Sequence, residues 1–140
     1  LGYFHDDGRT QASFEGDWFP GGDLGMIDEE GYITVVGRKK DMIKSGGENV
    51  ASRAVEEMIY RLPQVSEVAV IGLPDPKWVE VVTAVVVVKA GQTLDEADVI
   101  AHCAQHMAGF KTPKRVVFTE ALPKNPSGKL LKRDLRQLYA

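Results

Sequence analysis

The sequence predicts an α+β fold, in which a small three-stranded sheet is covered by helices and accompanied by a β-hairpin. Residues 65–73 and 81–88 are dense in valine and other β-branched residues, which favour strands, and residues 115–119 form a third short strand. The run at 65–73 is apolar on both faces, so we place it in the centre of the sheet. After residue 41 the predicted order is hairpin, helix, strand, strand, helix, strand, helix.

The helices are predicted from apolar residues three and four positions apart, the spacing that gives a helix one buried face. The first spans residues 50–62, with Asn49 as its N-cap. The second begins at a capping box in residues 93–96 and ends at Gly109. Leucines mark a C-terminal amphipathic helix over residues 131–138.

The first 37 residues have a different character. They are rich in glycine, aspartate and aromatic residues and lack helix patterns. Residues 18–27 and 32–36 are predicted strands, joined by a polar turn at 28–31. A charged joint at residues 38–41 separates this region from the α+β layer.

Composition excludes several classes of function. With 17 basic and 20 acidic side chains the formal charge is −3, which argues against a general nucleic-acid binder. The single Cys103 excludes an internal disulfide framework. His102 and His106 stand four apart on a helix without a third ligand, so no metal site is predicted. The longest apolar run, 81–88, is too short to span a bilayer. The chain opens without a methionine or a leader pattern, and we expect it to be a fragment of a longer cytoplasmic protein.

The most informative segment is residues 122–129, where two prolines, an asparagine and a glycine form a stiff loop that presents Lys129 ahead of a helix. A lysine there is either a solvated loop residue or a point charge for phosphate or carboxylate oxygens. Asp23 either caps a turn or accepts hydrogen bonds from ribose hydroxyls, with Arg38 as its cationic neighbour. The run at 38–41 is either a hydrophilic turn or a hinge between two bodies.

Four segments stand in a recognisable order: Gly-Gly-Asp-Leu-Gly at 21–25, Gly-Arg-Lys-Lys-Asp-Met-Ile-Lys-Ser-Gly-Gly-Glu-Asn-Val at 37–50, Gly-Leu-Pro-Asp at 72–75 and Pro-Lys-Asn-Pro-Ser-Gly-Lys at 123–129. In this order and spacing they resemble the C-terminal part of the adenylate-forming (AMP-binding) superfamily, specifically its acyl-CoA synthetases for fatty and aryl acids. The resemblance covers essentially the whole chain.

The resemblance implies a ligase that joins a carboxylic acid, with a fatty acid favoured, to ATP and then transfers the acyl group from AMP to CoA. It implies that Lys129 stabilises charge on the carboxylate and α-phosphate during adenylation, and that Asp23 and Arg38 are ribose ligands. Lys40 corresponds to the hinge about which the small domain rotates between the two steps.

The resemblance also implies a CoA site. The loop at Gly46 and Gly47 should line the pantetheine tunnel, and Trp78, Phe110 and Lys114 match positions that contact the CoA nucleotide in some relatives. An aromatic residue at 78 or 110 is otherwise a core residue. Many relatives have Gly-Glu after the tryptophan where this chain has Val79-Glu80, so Glu80 is assigned only a structural role.

In the family's terms, residues 1–37 are the C-terminal end of the large AMP-binding domain and residues 38–140 are the mobile C-terminal domain. The expected partners are the preceding domain of the same chain and the small molecules: the carboxylic acid, ATP and CoA. The ligands of the Mg²⁺ that accompanies ATP are expected in the preceding domain. The fragment alone should be inactive, because the acyl pocket and phosphate loop lie upstream.

Two other functions remain open on the sequence. An adenylation enzyme that delivers its acyl group to a carrier protein would keep Lys129, Asp23 and Arg38 but form no acyl-CoA. A non-catalytic α+β binding module would keep the fold without the chemistry.

Overall fold

A computed structural model describes residues 2–140 and confirms the predicted α+β class. The helices are α1 (Asp7–Ala12), α2 (Ser52–Ile59), α3 (Glu96–His106) and α4 (Lys132–Tyr139). The strands are β1 (Asp23–Ile27), β2 (Ile33–Arg38), β3 (Met42–Ser45), β4 (Glu48–Ala51), β5 (Val65–Asp75), β6 (Val79–Val88) and β7 (Arg115–Phe118). One 3₁₀ turn, Lys39–Asp41, occupies the predicted charged joint.

Strand β6 is the centre of the main sheet. It pairs with β5 antiparallel along one edge, and with β7 in parallel along the other. The hairpin β3–β4 joins β6 through a single residue pair, Ser45 with Val79. The predicted three-stranded sheet and hairpin therefore form one five-stranded sheet.

The central placement predicted for residues 65–73 is wrong, because β5 is an edge strand. Two of its outward backbone N–H groups are satisfied by side chains of α2 and of its C-cap residue instead of a neighbouring strand. Val70 N–H donates to Glu56 Oε1 at 2.8 Å and Val68 N–H donates to the Tyr60 hydroxyl at 3.3 Å. These bonds remove the unpaired donors that make a buried sheet edge costly. Apolar burial on both faces therefore did not require a central position.

Helices on both sides of the sheet explain why both faces are apolar. Val68 and Val70 of β5 belong to the core beneath α2 and α3. Ala69 and Ile71 alternate with them and belong to the core beneath α4. Burying each such valine or isoleucine contributes on the order of 1.5–3 kcal/mol, so the two layers account for most of the apolar stabilisation.

Two helix starts differ from their predictions for local reasons. Asn49 is not the N-cap of α2, because residues 48–51 are committed to pairing with β3, and the cap position falls at Ala51 without a side-chain bond. At α3 the N-cap is Asp95, whose side chain accepts the backbone N–H of Asp98. The Glu96 carboxylate accepts the N–H of Val116 at 2.8 Å instead of closing a capping box.

Residues 2–38 form a separate layer with no buried side chain. Strands β1 and β2 pair as an antiparallel ribbon, as predicted, although the first strand begins at Asp23 and not at residue 18. The turn between them has Gly31 at φ +89°. The short α1 was not predicted, although Asp6 caps it by accepting the N–H of Arg9 at 2.9 Å. Among residues 2–140 no helix combines the length and apolar character needed to cross a membrane.

Candidate functional site

Asp23 and Arg38 are brought together by the register of the β1–β2 ribbon, where they are direct partners. Arg38 Nε lies 3.2 Å from Asp23 Oδ1, and the two side chains remain 43% and 49% exposed. An exposed pair of this kind adds little stability. A carboxylate held in place and still open to solvent can accept hydrogen bonds from the vicinal hydroxyls of a sugar.

Lys129 lies at the end of a loop that is closed by its own backbone. The N–H of Asn125 donates to the Lys129 carbonyl oxygen at 2.9 Å, and the Lys129 N–H donates to Asn125 Oδ1 at 2.7 Å. Gly128, between them, has φ +80°, a conformation that glycine adopts without strain. The loop is therefore ordered up to Lys129, whose side chain is exposed.

Both ends of this loop are held by ion pairs to the body of the domain. Lys124 Nζ lies 2.6 Å from Glu67 Oε2 on β5. Lys132 Nζ lies 2.6 Å from Glu56 Oε1 and donates to the Ser52 hydroxyl at 2.7 Å. The pair at Lys132 is largely buried, with side chains 15% and 17% exposed, so it is the stronger constraint.

A cavity of about 660 Å³ lies between the 3₁₀ turn and the start of α4. Its charged lining consists of Arg38, Lys40, Asp41, Lys129, Lys132, Arg133 and Arg136. Arg136 pairs with Asp41 at 3.1 Å, whereas no carboxylate pairs with Lys40 or Lys129 within the described part of the chain. The cavity is therefore cationic and suits phosphate or carboxylate oxygens.

A second group of predicted residues gathers at the other end of β3. The predicted loop at 45–47 is a tight two-residue turn, with Gly46 at φ +60° and Gly47 at φ +88°, as a type I′ hairpin turn requires. Gly46 N–H donates to the Trp78 carbonyl oxygen at 2.8 Å. A Cβ on Gly46 would come within 2.9 Å of the Trp78 ring, so the indole lies directly over the turn.

Lysines flank this indole, and one predicted residue lies apart from it. Lys77 Nζ is 4.9 Å and Lys114 Nζ 6.0 Å from the Trp78 ring centroid. Trp78 and Lys114 also line a cavity of about 420 Å³. Phe110 does not line that cavity, and Lys111 Nζ lies 5.7 Å from the centroid of its ring. The structure therefore brings together Gly46, Trp78 and Lys114.

Val79, next to this indole, has φ +68°. A left-handed conformation costs a residue with a Cβ about 1–2 kcal/mol, while glycine adds about 0.5–1 kcal/mol of unfolded-chain entropy. We expect Val79→Gly to raise the unfolding free energy by about 0.5–1 kcal/mol, because the side chain is 69% exposed and little packing is lost. Thermal unfolding should shift upward by a few degrees. Val88→Gly, at the other end of β6, is the control and should lower the midpoint; a lowered midpoint in Val79→Gly would contradict the expectation.

Cys103 and the two helical histidines take no part in either group. Burial raises the pKa of the Cys103 thiol to about 11, so the nucleophilic thiolate is scarce at neutral pH. His102 Nε2 lies 3.1 Å from the Met58 carbonyl oxygen, and His106 Nδ1 lies 2.8 Å from that of His102. Among residues 2–140 no three His, Cys, Asp or Glu side chains are grouped to hold a metal ion.

Comparison with known proteins decides the family. The model of the AMP-binding enzyme C-terminal domain matches residues 54–129, more than half of the chain. The chain belongs to this family. The chain is 46% identical over 138 residues to the long-chain-fatty-acid–CoA ligase FadD13 of Mycobacterium tuberculosis. The match covers 99% of this chain and 27% of that protein. It is 43% identical to the 2-succinylbenzoate–CoA ligase of Listeria monocytogenes, covering 99% and 29%.

Solved structures agree with this assignment. ATP-bound MatB from Rhodopseudomonas palustris matches with a TM-score of 0.91 at 44% identity, covering 99% of this chain and 28% of that one. Apo MatB, at the same identity and coverage, matches with a TM-score of 0.76. The same stretch of MatB therefore has different shapes in the two structures. The chain spans little more than a quarter of the length of these relatives.

The two groups of candidate residues lie at opposite ends of β3 in this chain. The cationic cavity adjoins the 3₁₀ turn before the strand, and the Gly46 turn follows it. Four strand residues at about 3.3 Å each separate them by about 13 Å. Two side chains that support these groups, Glu56 and Glu80, could not be identified from local sequence patterns. Each accepts a backbone N–H from a strand that is distant in sequence.

Proposed function

We propose that the protein containing this chain is an ATP-dependent acid–CoA ligase. In the first step a carboxylate oxygen attacks the α-phosphorus of ATP, forming the acyl-adenylate and releasing pyrophosphate. In the second step the thiol of CoA attacks the acyl carbon, forming the thioester and releasing AMP. The observation that carries this proposal is Lys129, which has no ion-pair partner among residues 2–140, at a cationic cavity with Arg38 and Lys40 in a chain of the AMP-binding family.

The adenylation step suits the charge of this cavity. Bringing a carboxylate to a phosphate concentrates negative charge in the transition state, and a positioned cation lowers that barrier more than it tightens ground-state binding. We assign this role to the Lys129 ammonium group. Asp23, held by Arg38, is assigned to the ribose hydroxyls of the nucleotide.

We further propose that residues 1–37 end a large preceding domain and that residues 38–140 form a body that rotates about Lys40. Support comes from the absence of buried side chains over residues 2–38 and from apolar residues exposed on the β1–β2 ribbon, such as Ile27 and Ile33. A face of this kind suits a partner within the same protein. The two shapes of MatB also favour a chain that bends.

The second step is assigned to the other end of β3. Gly46 makes room for the Trp78 ring, and Gly47, which faces open space, is assigned to the narrow pantetheine arm. The indole of Trp78 and the ammonium group of Lys114 suit adenine and phosphate. Phe110 is retained as a weaker candidate for the CoA nucleotide. Mg²⁺ accompanies ATP in this proposal, and its ligands are placed in the preceding domain.

The acid that we propose is a fatty acid, in line with the similarity to FadD13. We also propose that the enzyme works in the cytoplasm, where ATP and CoA are available, and that the 140-residue chain alone is inactive. Delivery to a carrier protein is the alternative that keeps the same adenylation residues.

The test uses the full-length protein with a panel of fatty, aromatic and dicarboxylic acids. Acid-dependent exchange of labelled pyrophosphate into ATP measures the first step. Thioester formation with CoA, or with a pantetheinylated carrier protein, measures the second. We expect exchange with fatty acids and thioester formation with CoA. Exchange without acyl-CoA, but with acylated carrier protein, would favour the alternative, and absence of exchange with every acid would overturn the proposal.

A further inference from the structure

Strands β3 and β6 are joined by few backbone contacts. Their only ladder pair within the described residues is Ser45 with Val79. Lys44, one residue before that pair, directs its N–H away from β4 and toward β6. The Glu80 side chain accepts this N–H through Oε2 at 2.7 Å. A carboxylate therefore takes the place of the backbone acceptor that a continued ladder would supply.

The carboxylate of Glu80 lies in a space that Gly72 leaves open. A Cβ on Gly72 would come within 2.9 Å of Glu80 Cδ and Oε1, and within 2.9 Å of Ile43 Cγ2. Gly72 is part of β5, so the carboxylate lies where β3, β5 and β6 come together. A hydrogen bond from a backbone N–H to an ionised carboxylate is stronger than one to a neutral acceptor.

Three consecutive attachments hold the end of β3. Glu80 accepts the N–H of Lys44, Val79 pairs with Ser45, and the Trp78 carbonyl oxygen accepts the N–H of Gly46. The Gly46-Gly47 turn follows directly. Its position relative to the Trp78 indole is therefore set by residues 78–80 of the neighbouring strand.

We propose that Glu80 is a positioning residue for the thiol-transfer step. Its carboxylate completes the attachment of β3 to β6 and so holds the Gly46-Gly47 turn beneath Trp78. Glu80 does not contact substrate in this role. The inference rests on the proposed function, because it assigns the turn to the thiol arm.

The test compares Glu80→Ala and Glu80→Gln in the full-length enzyme. We expect Glu80→Ala to raise the KM for CoA, or lower the rate of thioester formation from preformed acyl-adenylate, by about tenfold, because small displacements of a positioned group have large effects. Pyrophosphate exchange should stay within about twofold of wild type. Glu80→Gln keeps an acceptor oxygen and should recover most of the loss. Glu120→Ala, an exposed carboxylate at the far end of the sheet, is the matched control.

Hydrogen–deuterium exchange of the same full-length proteins gives an independent readout. The Lys44 amide should exchange faster in Glu80→Ala than in wild type or Glu80→Gln. Unchanged exchange at Lys44 would overturn the proposal whatever the activity. An active enzyme whose two steps fall equally in Glu80→Ala, or in which neither falls, would also overturn it. A wild-type protein that forms neither adenylate nor thioester would instead overturn the proposed function.

Discussion

Replacing Lys129 by alanine in the full-length protein should reduce acid-dependent pyrophosphate exchange by about 10²–10³-fold, the usual effect of removing one preorganised group that stabilises developing charge. Thioester formation from preformed acyl-adenylate should stay within about twofold of wild type, because that step uses the residues at the other end of β3. The two assays on one variant thus measure whether Lys129 serves only the first step.

The control for this variant is Lys89→Ala, which removes an exposed lysine at the end of β6, away from the cationic cavity. Thermal unfolding of Lys129→Ala should match wild type, since Lys129 is exposed and makes no ion pair within residues 2–140. Lys89→Ala loses an exposed hydrogen bond from Lys89 Nζ to the Pro63 carbonyl oxygen, so its midpoint is measured to show that this loss does not affect exchange. Unchanged exchange in Lys129→Ala would make this residue an ordinary loop lysine. Equal loss in both assays would show that the substitution damages the enzyme generally and that Lys129 has no specific role in adenylation.

Replacing Glu56 by alanine should lower the free energy of unfolding of the chain by about 3 kcal/mol. Breaking a buried ion pair costs about 3–5 kcal/mol, and the small residual exposure of this pair argues for the lower end of that range. The same change leaves the fully buried Val70 N–H without its acceptor. Urea unfolding followed by circular dichroism measures the effect as a lower midpoint at an unchanged slope.

The neighbouring residue provides the matched control. Glu57 pairs with Arg53 at 2.9 Å on the same helix, but the side chains of Glu57 and Arg53 are 63% and 57% exposed. Such a pair contributes only about 0.3–0.5 kcal/mol, so Glu57→Ala should change stability little. Similar losses in the two variants would show that helix content, and not the buried contacts of Glu56, sets the cost.

Local chemistry made much of the site predictable. The sequence predicts Asp23 and Arg38 as neighbours, but their direct pairing depends on the register shift between Leu24 and Gly25. The loop before Lys129 is ordered by its own asparagine and glycine. The sequence indicates a loop at Gly46 and Gly47, and two adjacent glycines between short strands also suit the tight turn with positive φ that the structure shows.

Long-range contacts account for most of what the sequence missed. The edge position of β5 depends on Glu56 and Tyr60, which replace a neighbouring strand and leave no periodic trace. The prediction of Asn49 as an N-cap is wrong because the backbone at residue 49 pairs with β3. This tertiary pairing overrides the local preference of asparagine for a cap position. By contrast, Val79 closes the turn between β5 and β6 by pairing with Asp75, so its positive φ belongs to a local turn.

The ion pairs at Lys124 and Lys132 attach both ends of the Lys129 loop to the body of the domain. The loop backbone therefore has little freedom to move independently. Any large displacement of the loop backbone at Lys129 must then be a displacement of the sheet and helices to which the loop is attached. A spectroscopic probe attached within residues 124–132 would therefore report the orientation of the whole body formed by residues 38–140.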